Sequence, residues 1–181
     1  MNLAVGFAPF ILFALLSRLS ADLALWAAFA AAFVVTIRDF VESPSLRLLD
    51  AGSLVLFALL SLWRGFVDPN LPLAGVRFIA ELALFVLLAA ALAVRRPFSI
   101  DYARLDPRES GWPEDLFRRV NYLVSGVWVT AFAVMTAADA AVLFGPRLPL
   151  WSSIAVSIMA LAAAVTFTLR YPALAARRLN G

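Results

Sequence analysis

The sequence predicts an all-α, polytopic membrane protein: six transmembrane helices laid out as three successive hairpins, with both termini in the cytoplasm. Three observations predict it. Hydrophobic residues make up 64% of the 181 residues and the mean hydropathy is +0.91, where a soluble domain uses about 45–50% apolar residues. The apolar residues gather into six runs, and a hydrocarbon core of ~30 Å needs about 20 residues as helix. Most of the charge falls between those runs, and every basic side chain is arginine.

The runs place helices at about 2–17, 20–37, 50–64, 72–94, 121–144 and 148–170 in a single domain. The first is short for a span and would tilt little or thin the bilayer locally. No basic residue precedes Arg18, so this run reads as a retained helix rather than a cleaved signal. The second, fourth and sixth carry alanine runs (27–32, 89–93 and 160–164) that suit close approach of helices. Each of these three also ends in arginine with an aromatic or proline behind it: Arg38-Asp39-Phe40, Arg96-Pro97-Phe98 and Arg170-Tyr171-Pro172. The segment Phe13-Ala14-Leu15-Leu16-Ser17 recurs as Phe57-Ala58-Leu59-Leu60-Ser61. Trp63 and Trp151 fall at helix ends, where aromatic belts form. Trp26 and Trp128 lie deeper and are expected to pack between helices.

Loop arginines set the orientation. Eleven of the fifteen, among them Arg38, Arg47, Arg95, Arg96, Arg118 and Arg119, fall on the side of the termini, against Arg18, Arg64, Arg77 and Arg147 on the other. The expected location is a bacterial inner (cytoplasmic) membrane. The outer turns are short. The cytoplasmic segments are longer, and 95–120 reads as a loop whose Tyr102, Trp112 and Phe117 would lie in the interface or in a solvated connector.

Composition excludes several chemistries. There is no cysteine and no histidine, which removes thiol catalysis, the usual zinc and haem ligands and the usual general base. No phosphate-binding glycine loop, GxSxG or HExxH is present. The expectation is a protein that is not an enzyme and holds no cofactor or metal. The formal charge of +3 reflects arginines near lipid headgroups, so nucleic acid is not an expected partner. The lipid bilayer is the first partner; other envelope or division membrane proteins and a second copy of the chain are further candidates.

Charges inside apolar runs carry the site argument, because each costs ~2.5–3.5 kcal/mol at a helix centre. Arg77 and Glu81 fall in the fourth run and Asp139 in the fifth. At ~1.5 Å per residue, Arg77 and Asp139 both lie ~7–8 Å below the outer surface, and Glu81 about one turn deeper. Arg77 and Glu81 share a helix face at i,i+4. The three predict a cluster with one charge of −1 in excess. It would either pin two helices together or hold a ligand, proton or cation. Arg18, Asp22, Arg64 and Asp68 flank the first two outer turns, as interfacial anchors or as the mouth of a cavity above the cluster.

The chain resembles the bacterial intracellular septation protein A family. The likeness runs through Phe7-Ala8-Pro9, the aromatic first helix ending at Arg18, and Arg95-Arg96-Pro97-Phe98, and continues in Trp128-Val129-Thr130-Ala131-Phe132 through Asp139. Trp128, Phe132 and Pro97 are the family-like packing positions. Asp139 stands where the family pattern has asparagine, and Glu81 and the long 99–119 segment depart from it. The resemblance implies a role in the cell envelope or septum through contacts with other membrane proteins, with no reaction attached. A small transporter or substrate-capture subunit using Arg77, Glu81 and Asp139 is the second expectation, and a lipid-modifying enzyme the third.

Overall fold

A computed structural model describes residues 6–17, 19–42, 47–104, 112–145 and 148–177. Among them the chain is helical, with no strand. The helices are α1 (Ala8–Leu16), α2 (Ala21–Glu42), α3 (Leu48–Leu62, running on as a π turn over Trp63–Val67), α4 (Leu73–Ala93), α5 (Ile100–Ala103), α6 (Glu114–Phe144) and α7 (Leu150–Arg177). Five of these, α2, α3 with its π turn, α4, α6 and α7, are long and apolar enough to cross a membrane.

The sixth expected span is the exception. The prediction at 2–17 begins outside the described residues, and the helix Ala8–Leu16 has nine residues, about 14 Å at ~1.5 Å each. Pro9 explains its start. Proline lacks an N–H and clashes with the carbonyl four residues back, so it fits a helix best in the first turn, which is where Pro9 sits. The turn at Phe7 aims three phenylalanines inward: Phe7, Phe10 and Phe13 are all buried. Short α1 therefore turns an aromatic face into the middle of the bundle.

Its berth is aromatic. Phe7 lies face to face with Trp128 of α6, ring centroids 3.6 Å apart. Phe10 meets Phe57 of α3 at 5.0 Å and Phe132 of α6 at 6.2 Å. Such pairs add about 0.5–1.5 kcal/mol each beyond area burial. The Trp128 indole N–H donates to Thr168 Oγ1 of α7 at 3.0 Å, so one side chain ties α1, α6 and α7. Trp26 does not pack inward as expected; it is half exposed on the outer face of α2.

Other boundaries differ from the sequence reading. Helix α2 continues to Glu42 rather than 37, and α7 runs through Pro172 to Arg177. The loop expected at 95–120 is partly helical: α5 occupies Ile100–Ala103, and α6 begins at Glu114 instead of 121. Pro113 stops upstream extension, and Glu114 and Asp115 favour a helix start by facing its positive dipole end. Neighbouring helices pack most extensively as α6–α7, α4–α6, α1–α2 and α2–α3, whereas α3 and α4, the expected middle hairpin, touch over a shorter stretch. There Gly52 of α3 lets Leu87 of α4 approach so closely that a Cβ would collide with it.

Candidate functional site

Two buried charged clusters lie toward opposite ends of the bundle. The first is the predicted one. Arg77 and Glu81 point from one face of α4, and the Arg77 guanidinium donates to Glu81 Oε1 at 3.2 Å. Its Nε donates to Asp139 Oδ1 of α6 at 3.5 Å and lies 3.3 Å from Oδ2. Ser157 of α7 completes the group: its hydroxyl accepts from Arg77 at 2.9 Å and donates to Glu81 Oε1 at 3.3 Å. Three helices are thus joined through one guanidinium.

The cluster is closed. Relative exposure is 1% for Arg77, 6% for Glu81 and 0% for Asp139. One cation faces two carboxylates, and Glu81 Oε2, Asp139 Oδ2 and the nearby helix residue Thr136 through Oγ1 have no hydrogen-bond partner among the described residues. Buried acceptors without a donor are costly, so the arrangement is suited to taking up a proton or a small cation. Ser157 was not singled out from the sequence. The available signal was Ser153 and Ser157 at i,i+4 on α7, two hydroxyls on one face, both buried.

The outer-turn residues separate into two groups. Arg64 pairs with Asp22 at 2.6 Å and also donates to the Leu71 carbonyl. The π turn over Trp63–Val67 carries Arg64 to that position. Asp68 instead caps its own turn, accepting from the Asn70 N–H at 3.1 Å. Among the described residues no ion pair joins these side chains to Arg77. Arg18 lies outside the described residues. Of the family-like positions, Trp128 and Phe132 are in the aromatic core, and Pro97 is buried just beyond α4.

The second cluster was missed. Arg47, read as a loop cation, is 3% exposed. It pairs with Asp39 at the end of α2 and lies 3.9 Å from Asp50 Oδ2 in the first turn of α3. The Tyr102 hydroxyl of α5 donates to Asp50 Oδ1 at 2.8 Å, and the Arg47 guanidinium sits 5.0 Å from the centre of its ring. Burial, and then the Asp50 carboxylate, push the Tyr102 phenol well above its usual range. Arg38 lies 3.8 Å from Asp39, so two arginines balance two carboxylates. The signal was Asp50 inside an apolar run. Extending α2 to Glu42 would have put Asp39 on a helix as well.

Close by, Ser99 donates to Asn121 Oδ1 at 2.8 Å and accepts from Ser125 at 3.0 Å. This buried set straps the segment after α4 onto α6. Among the described residues no group of three or more His, Cys, Asp or Glu is placed to hold a metal ion. Compared with family models, with curated proteins and with solved structures, the chain matches none.

Proposed function

We propose that this chain is a non-catalytic, multi-pass protein of a bacterial inner membrane, with its ends in the cytoplasm and its first segment completing a sixth crossing. It acts in maintenance of the cell envelope or septum by lateral contact with other membrane proteins. The resemblance to septation protein A motivates the setting. The contact mode rests on one observation, the uneven burial of the spans. Only 17% of the apolar window of α7 is buried, against 33–39% for the other four spans. Beside it runs a groove of about 660 Å³ between α6 and α7, floored by Gly126, Thr130, Ala160 and Ala163. Small residues let another helix backbone come close, which is how helices associate in lipid.

A photo-crosslinking residue at Ala163 tests the reading, with the exposed Val86 of α4 as control. A discrete protein adduct at 163, absent at 86 and suppressed by Gly126→Leu, supports it. Lipid adducts alone at both positions overturn it.

A second reading is favoured by the excess carboxylate at Arg77, Glu81 and Asp139: a small transporter or substrate-capture subunit in which the cluster takes a proton or cation. Proton or monovalent-cation flux into proteoliposomes, abolished by Glu81→Gln, would favour it over the first.

A further inference from the structure

The end of α4 contains a backbone feature that calls for an explanation. Arg95 has φ 59°, the one non-glycine residue with positive φ among those described. The Arg96 N–H bonds to the Ala91 carbonyl at 2.9 Å and the Arg95 N–H to the Leu92 carbonyl at 3.1 Å. This is a Schellman cap, and its left-handed position is usually glycine because a side chain there is strained. An arginine held there costs stability, and an outlier of that kind points to a use for the side chain.

Its surroundings supply one. Arg95 and Arg96 line a groove of about 840 Å³ together with Arg104 and Arg118. Asp101 and Glu114 also face it, so four cations stand against two carboxylates. None of the four arginines has a side-chain hydrogen bond or ion pair among the described residues, whereas Arg47, Arg64 and Arg77 are all paired. The opposite wall is apolar. Leu87, Ala90, Ala91 and Val94 recur at i, i+3, i+4 and i+7 along one face of α4, with Leu48 of α3 beside them. The groove borders α3 and α4, which pack over a shorter stretch than α2–α3 or α4–α6, and it begins where the span Leu73–Ala93 ends.

We propose that this groove binds one anionic phospholipid. Its phosphodiester sits among Arg95, Arg96, Arg104 and Arg118, and an acyl chain runs along Leu87, Ala90 and Val94 into the α3–α4 seam. Basic pockets between membrane helices at the headgroup level recognise such lipids. The amphipathic wall selects a lipid over a soluble phosphate, because half of the site has nothing to offer a polar ligand.

The test uses the full chain in nanodiscs of phosphatidylcholine containing a minor fraction of phosphatidylglycerol, followed by native mass spectrometry. The expected result is one phosphatidylglycerol retained per chain in preference to phosphatidylcholine. Arg96→Ala and Arg104→Ala should each weaken retention about fivefold, and Ala90→Phe should block it by filling the acyl track. Arg95→Gly is the decisive variant. It should weaken retention about fivefold while leaving thermal stability of the delipidated protein unchanged or higher, since glycine suits the cap. Equal retention of both lipids, or undiminished retention in an Arg96→Ala/Arg104→Ala double variant, overturns the proposal. So does saturation by glycerol phosphate at the same concentrations as the lipid.

Discussion

The Arg77 and Arg47 clusters use the same parts and reach different balances. Each places one buried arginine between two carboxylates contributed by two different helices. At Arg47 a second arginine, Arg38, stands beside Asp39 at the surface, and a phenol donates to Asp50. At Arg77 the added group is a serine, which brings no charge. The Arg47 cluster is therefore neutral and reads as a clamp on the α2–α3 turn. The Arg77 cluster holds one more carboxyl group than it has arginines, in a site closed to solvent. Equal residue counts do not make equal sites; the formal charge of the closed shell separates a structural staple from a group poised to bind.

The sharpest way to break this comparison is to remove each arginine. Arg77→Ala strands two buried carboxylates, and losing one member of a buried pair costs about 3–5 kcal/mol. Thermal unfolding in detergent should show that loss. Arg47→Ala should cost less, because Arg38 remains near Asp39. Equal losses would erase the distinction.

A smaller effect is expected at Tyr102. Tyr102→Phe removes a hydrogen bond to a carboxylate, worth about 1.5–3 kcal/mol. It should also change the alkaline limit. The folded phenol titrates above its unfolded value of ~10, so its contribution is full below that pH and is lost as pH rises past it. Comparing stability of wild type and Tyr102→Phe through that range should show the steeper fall in the wild type.

The smallest effect should come from Asp139→Asn. It removes the excess charge and leaves Arg77 paired with Glu81, so stability should change by less than ~1 kcal/mol, a value typical of substitutions that break no required pair. A loss as large as that of Arg77→Ala would mean the two carboxylates are both needed, contrary to the comparison.

The same two clusters mark where sequence reasoning works in this chain. Arg77, Glu81 and Asp139 interrupt apolar runs, and helix rise alone put Arg77 and Asp139 at one level. Asp39 and Arg47 sit among other charges near a turn, where burial leaves no trace in the residue pattern. Only tertiary packing of α5 against the start of α3 encloses them. Helix existence followed from hydropathy, but the ends of α2 and α6 did not, since those turns are amphipathic and carry charge on their outer side. The role of the first run was hidden for a different reason. Its composition matches a span, and composition does not show that Phe7, Phe10 and Phe13 all turn inward.

That inward aromatic face orders events in time. Phe7 leaves the ribosome well before its stacking partner, Trp128, which follows 121 positions later along the chain. Until α6 arrives, the opening segment has no finished berth. A change at Phe7 would therefore be felt not where it is made but in the closing of α6 and α7.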